Sequence, residues 1–162
     1  MSTVNTRRRS FFRIGAAAGL FAVVSAQWSI KGTLAAGDLI YTSKINNNAV
    51  SGYDPVAYFT VGRPVKGDPK YTLTHKGTNW LFSSQKNLDL FKANPDKYSP
   101  QFGGHCAYNA SKGIAIRSNP LNFNIVDDKL YLNYDQYTQS LWYKNQSELI
   151  DRGKENWPTV FR

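Results

Sequence analysis

Two pairs of short β-rich runs, each joined by only two or three turn residues, constrain the fold of this chain more than any other feature. The runs and their turns are, in chain order, Tyr71–His75, Lys76-Gly77-Thr78 and Asn79–Phe82, then Phe123–Val126, Asp127-Asp128 and Lys129–Leu132. Connections this short predict antiparallel β-hairpins, because parallel strands need a much longer crossover. The two adjacent carboxylates are accordingly interpreted as a hairpin turn rather than as a catalytic pair.

Short segments with helix-capping residues lie around these hairpins. The predicted helices and helical turns are Asp54–Phe59, Gln85–Ala93 after the cap Ser84, Asn94–Tyr98, His105–Ala110, a helix after the cap Asp135 that carries Tyr137, Leu141 and Trp142, and Ser147–Gly153. Helices and hairpins in this order lack the regular alternation of a parallel sheet. The sequence predicts a small single α+β domain with two β-hairpins and several short helices.

The first 36 residues have the pattern of an export signal. They carry five basic residues and no acid, so +5 of the net charge of +9 belongs to them. A basic start is followed by the 13-residue apolar run Ile14–Ala26, which is shorter than the roughly 20 residues needed to cross a bilayer. The run Arg8–Arg13 resembles a twin-arginine signal, and an ordinary secretory signal is the alternative.

This pattern divides the chain into three parts. Residues 1–36 are a predicted twin-arginine-type signal peptide, residues 37–48 an irregular lead-in, and residues 49–162 the folded domain. Small residues favour cleavage after Ala35 or Ala36, and cleavage after Ala26 is the alternative. We expect a periplasmic or secreted protein that meets the membrane only transiently, through its signal peptide.

The charge and cysteine content of the remaining chain exclude several classes of function. Residues 37–162 hold 15 basic and 11 acidic residues, a scattered excess of +4, which argues against nucleic acid as a partner. The single cysteine excludes an intrachain disulfide and a zinc finger built on several cysteines. The sequence also lacks a Gly-rich phosphate loop and the usual hydrolase motifs.

A set of motifs runs through most of the predicted domain in a fixed order. They are Gly52–Phe59, Asn79–Ser84 with Asn87, Phe91, Asn94–Tyr98, Gln101–Tyr108, Ile125–Asp127, Lys129–Tyr134 and Asn156–Pro158. These motifs resemble the YHS-domain family, and in particular its exported, free-standing branch. The resemblance implies a binding or accessory role in the periplasm, with a possible protein partner there.

The wider superfamily that this resemblance points to includes TRASH-type metal-binding modules. In those modules one cysteine follows Asp-Pro-Val and two more stand in Phe-Cys-Ser-x-x-Cys, so that three thiolates converge on a soft metal. The corresponding positions here are Ala57, Ser83 and Asn87. The resemblance therefore supports the fold and argues against the relatives' metal site in this chain.

The remaining soft ligands are His75, His105 and Cys106. A metal held by them would be copper or zinc. Neighbouring residues on a helix point about 100° apart, so His105 and Cys106 do not naturally converge on one ion. Packing as a small apolar side chain is the alternative for Cys106. A nucleophilic Cys106 with His75 as its base lacks an orienting third residue, so an enzyme ranks last.

Two functional hypotheses follow. The leading one is an exported, non-catalytic accessory protein linked to copper or zinc handling, or to redox chemistry, through His75, His105 and Cys106. The other is a protein-interaction or small-ligand module whose metal site has been filled by ordinary packing. The first requires His75 to approach Cys106 or His105. The second predicts that Cys106 is buried among apolar atoms, with an exposed aromatic patch elsewhere on the surface.

Overall fold

The computed structural model describes residues 39–43 and 45–160, and the predicted signal peptide lies outside them. Within these ranges the fold is α+β, as predicted, with two antiparallel two-stranded sheets, β1-β2 and β3-β4. The strands are β1 (Asp68–His75), β2 (Thr78–Phe82), β3 (Asn119–Val126) and β4 (Lys129–Asn133). The helices are α1 (Ala57–Thr60), α2 (Gln85–Ala93), α3 (Pro95–Tyr98), α4 (Ala107–Ala110), α5 (Gln136–Lys144) and α6 (Gln146–Asn156). Among the helices in this part of the chain, none is long and apolar enough to cross a membrane.

Both predicted hairpins are confirmed, and both turn through two residues. Asp127 and Asp128 have φ values of 49° and 55°, and Lys76 and Gly77 have 51° and 73°. Two successive positive φ values are the mark of a turn whose twist matches that of the flanking strands. Thr78, predicted in the turn, is instead the first residue of β2 and pairs with His75, because the tight turn needs only two residues.

The capping residues act as the sequence indicates. The Ser84 side chain accepts a hydrogen bond from the Asn87 amide at the start of α2, which has the predicted bounds. Asp135 and Thr138 form a reciprocal capping box at the start of α5. Each cap satisfies amides that the first turn of a helix leaves without partners.

The helix predicted over His105–Ala110 is wrong in its first two residues. His105 and Cys106 are extended, and α4 begins only at Ala107. The physical reason is pairing with neighbouring segments of the chain. Cys106 forms an isolated parallel β-bridge with Leu132 of β4, and its amide donates to the Ile116 carbonyl at 3.0 Å. These bonds satisfy an extended backbone without a helix.

β4 joins the two apolar clusters of the core. Leu130 and Leu132 pack into the cluster built around the first hairpin and α2, whereas Tyr131 packs with Trp142 in the cluster built around α4, α5 and α6. Successive side chains of a strand point to opposite faces, so one strand can serve both clusters. Aromatic residues form much of this core, since Trp80, Phe82, Tyr131 and Trp142 are at most 2% exposed.

A left-handed turn at Phe102–Gly104 brings the lead-in against the domain. The φ values are 54°, 58° and 81°, and the Tyr41 amide donates to the Gly103 carbonyl at 2.8 Å. A Cβ atom on Gly103 would lie only 1.6 Å from the Leu39 carbonyl oxygen. Gly103 and Gly104 therefore provide both a left-handed turn and a close backbone approach.

We expect Gly103→Ala to destabilise the protein more than Gly62→Ala. Both glycines have positive φ, but a Cβ on Gly62 would meet nothing within 4 Å. The left-handed conformation costs an L-residue about 1–2 kcal/mol at either position. Only Gly103→Ala also displaces the 39–41 segment, which adds about 1 kcal/mol for the lost hydrogen bond. Urea unfolding of the two variants measures this difference, and equal losses would contradict the role assigned to the close approach.

Candidate functional site

The three positions that correspond to the thiolates of TRASH-type modules converge on one buried carboxylate, that of Asp54. Asp54 is completely buried. Its Oδ2 accepts hydrogen bonds from Ser83 Oγ and from Asn87 Nδ2, each at 2.6 Å, and from the Ser83 amide at 2.8 Å. Its Oδ1 accepts from the Val56 amide at 2.9 Å and the Ala57 amide at 3.3 Å. The three positions thus converge on a carboxylate through hydrogen-bond donors, and not on a metal ion through thiolates.

This arrangement does not fit a soft metal. Position 57 offers a methyl group, and the Ser83 hydroxyl and the Asn87 amide nitrogen both donate to Asp54. Copper and zinc prefer thiolate sulfur or imidazole nitrogen, which none of these residues supplies. The Asp54 network joins the turn before α1, the end of β2 and the first turn of α2, so it fixes three elements of the fold.

Cys106 is fully buried, as the packing hypothesis predicts, but polar groups surround its sulfur. The sulfur accepts hydrogen bonds from Asn109 Nδ2 at 3.1 Å and from the Tyr134 amide at 3.3 Å, and it lies 3.7 Å from Asn133 Oδ1. The thiol therefore connects α4 to the end of β4. Sequence reasoning missed this polar setting, because Asn133 and Tyr134 lie 27 and 28 residues away.

His105 is nearly buried and lies between two aromatic rings. Its Nδ1 lies 3.1 Å from the Phe102 carbonyl oxygen, so the N–H at this position donates to that carbonyl. The ring centroid lies 5.5 Å from that of Tyr41 and 5.1 Å from that of Trp157. Burial lowers the pKa of His105, and the bond to the Phe102 carbonyl partly opposes that shift.

His75 ends β1 and packs at the edge of the first apolar cluster. Its ring centroid lies 5.8 Å from that of Phe91 and 6.5 Å from that of Trp80. Its Nε2 is buried without a hydrogen-bond partner among the described residues. Burial and then Lys76 lower the pKa of His75, and Asp96 opposes them.

The structure does not gather His75, His105 and Cys106 into one cluster. In residues 39–43 and 45–160, no three or more His, Cys, Asp or Glu side chains form a group that could hold a metal ion. His105 and Cys106 are consecutive in extended backbone, where side chains alternate in direction. The metal site proposed from these three residues stays a prediction.

One comparison with known proteins gives a match. The model of the YHS domain family matches residues 56–102, from the turn before α1 to the left-handed turn at Phe102. The match includes Ala57, Ser83 and Asn87 and ends before His105. Neither a curated protein nor a solved structure matches the chain.

We expect Asp54→Asn to lower the free energy of unfolding by about 3 kcal/mol. The asparagine replaces one accepting oxygen with an NH2 group that faces buried donors, and the charge-assisted hydrogen bonds to the carboxylate are lost. The exposed Asp89→Asn is the matched control, with an expected change below about 0.5 kcal/mol. Chemical denaturation of both variants measures the difference. A small loss in Asp54→Asn would show that the network does not hold the fold together.

The stability should fall as the pH drops through the range in which histidine titrates. The folded-state pKa of His105 lies below its ordinary value of 6.5, so the unfolded chain takes up a proton that folded His105 resists. The His105 contribution is complete above about pH 6.5 and declines below it, by at most about 1.4 kcal/mol per pH unit.

Urea unfolding of the wild type and of His105→Gln between about pH 5.5 and 7.5 tests this. The free energy of unfolding of the variant should depend less steeply on pH than that of the wild type, whatever the overall stability of the variant. His75→Gln is the companion variant, because the pKa of His75 is also lowered and its own part of the slope should disappear. An unchanged slope in His105→Gln would contradict the assignment.

Proposed function

We propose that this chain, which carries a YHS domain, is an exported, non-catalytic binding protein. In this proposal Ala57, Ser83 and Asn87, which stand where TRASH-type modules have thiolates, support the fold instead of holding a metal. The observation that supports this best is the convergence of Ser83 and Asn87 on the buried Asp54 carboxylate. The export part of the proposal rests on the sequence of residues 1–36.

A metal at this position would have to compete with bonds that the protein already makes. Ser83 and Asn87 would have to turn away from Asp54, which would leave a buried carboxylate with fewer donors. Leaving a buried charged group unsatisfied costs several kcal/mol. A serine hydroxyl and a carboxamide bind copper or zinc too weakly to offset that cost. The side chains therefore favour binding at the surface of the domain over metal handling at this position.

Metal handling through His75, His105 and Cys106 is the second candidate. The feature that favours it is the Nε2 atom of His75, which is buried and has no partner within the described residues. Against it stand the engaged sulfur of Cys106 and the engaged Nδ1 of His105. The two candidates make opposite predictions for metal content.

We expect the full chain, purified without tags or chelators, to contain far less than one equivalent of copper or zinc. Added Cu²⁺ or Zn²⁺ should leave its melting temperature unchanged, whereas a metal at a hundredfold excess over its Kd would add about 2.7 kcal/mol of stability. Elemental analysis and thermal unfolding measure the two quantities. One equivalent of metal that is lost in Cys106→Ala and in His75→Ala, but kept in Asp54→Asn, would replace this proposal with the second candidate.

A further inference from the structure

A polar cleft of about 520 Å³ lies where the lead-in meets the second hairpin. Three separate stretches of the chain line it, namely the lead-in and the turn after it, the residues just before and at the start of β3, and the residues that follow β4. The lining includes Ser43, Ser51, Arg117, Asn119, Tyr134 and Asp135. Its size is within the range of small-ligand sites.

The cleft contains an exposed cation that forms no ion pair with any of the residues described. Arg117 Nη2 donates to the Tyr134 hydroxyl at 3.2 Å, and the guanidinium lies 5.2 Å from the centre of the Tyr134 ring. The ion pairs found in the described part of the chain are Lys76–Asp96, Arg152–Glu148 and Lys154–Asp151, and Arg117 is in none of them. A planar guanidinium with free donors is suited to bind a carboxylate.

The backbone around Arg117 is held in place on both sides. The Ile116 carbonyl accepts from the Cys106 amide at 3.0 Å, and Ser118 Oγ donates to the Gly104 carbonyl at 2.6 Å. Tyr134 is also anchored to Cys106, whose sulfur accepts from the Tyr134 amide. The cation and its aromatic neighbour are therefore positioned before any ligand arrives, which lowers the entropy cost of binding.

A strained turn contributes Ser51 to the lining of the cleft. Val50, Ser51 and Gly52 have φ values of 51°, 51° and 78°, and Val50 is buried. A left-handed conformation is unusual for a β-branched residue and costs about 1–3 kcal/mol. Strain of this kind persists where the surrounding structure imposes it, so the turn that carries Ser51 is held by the rest of the fold.

A second cavity of about 610 Å³ adjoins the cleft, because Asn119 and Asp135 line both. The second cavity adds the amides of Asn122 and Gln136 and the ring of Tyr137, which is 70% exposed. Amides, hydroxyls and an exposed aromatic ring suit a ligand with many hydroxyl groups on apolar rings. Two adjoining cavities favour a ligand of more than one ring.

We propose that this groove binds an acidic oligosaccharide, with the carboxylate of one sugar on Arg117 and neighbouring hydroxyls on the amide, serine and Asp135 side chains. A single guanidinium suits a ligand with few charges, in contrast to the many phosphates of a nucleic acid. The inference rests on the proposed binding role of the protein and gives that role a site and a ligand class.

Calorimetric titration of the full chain with trimers of galacturonate, mannuronate and guluronate tests the inference. At least one trimer should bind saturably, more weakly as salt increases, since salt screens an exposed ion pair. Its methyl ester, which has the same rings without the charge, should bind about tenfold more weakly or worse, a difference of about 1.4 kcal/mol. Arg117→Gln should show a similar loss, and Arg63→Gln, an exposed arginine outside the cleft, should bind as the wild type does.

Absence of saturable binding by all three trimers would overturn the inference, as would equal affinity in Arg117→Gln. Because Arg117 is exposed, its replacement is not expected to unfold the domain, and an unchanged melting temperature verifies this. Equal binding of the methyl ester would overturn the acidic part of the ligand assignment. These outcomes are independent of the metal content, so the failure of the groove can be distinguished from the failure of the proposed function.

Discussion

The buried carboxylate of Asp54 is the interaction on which the first half of the domain depends. It joins the turn before α1 to the end of β2 and to the first turn of α2. A buried charged group is tolerated only where donors surround it, so the three elements must arrive together for the site to form. The requirement makes the network a source of specificity as well as stability. The aromatic rings of Trp80, Phe82 and Phe91 then pack against one another in the cluster that this hairpin and α2 enclose.

The segment from Phe102 to Cys106 has the corresponding role in the second half. Its carbonyl groups at Gly103 and Gly104 accept from Tyr41 and Ser118, and Cys106 binds both Ile116 and Tyr134. The left-handed turn turns these carbonyls toward the lead-in and toward the loop before β3, which a helix through the same residues could not do. Cys106, a candidate metal ligand from the sequence, therefore helps to hold the neighbouring cleft in place.

Much of this fold could be predicted because its signals are local. The two hairpins, the caps at Ser84 and Asp135 and the end of α2 at Asn94-Pro95 depend on residues within a few positions of one another, although the first turn is one residue shorter than predicted. The extended conformation of His105 and Cys106 could not be predicted, because it is imposed by β4, whose position depends on tertiary structure. The Asp54 network was missed for the same reason, since Ser83 and Asn87 are 29 and 33 residues away. The groove combines three distant stretches, none of which has a motif of its own.

The composition of the Asp54 network also explains why this fold does not need thiolates at positions 57, 83 and 87. Three of the bonds to Asp54 come from backbone amides, those of Val56, Ala57 and Ser83, and they do not depend on which side chains stand at these positions. Two bonds come from the side chains of Ser83 and Asn87. Whichever side chains stand at positions 57, 83 and 87, the carboxylate keeps its three backbone donors, and Ser83 and Asn87 add the two shortest of its five hydrogen bonds. With these donors in place, the network fixes the frame that carries α1 and β2, so the proposed binding role falls to other parts of the surface. The groove proposed around Arg117 is one such part, and its lining residues lie outside the region that the YHS family model matches.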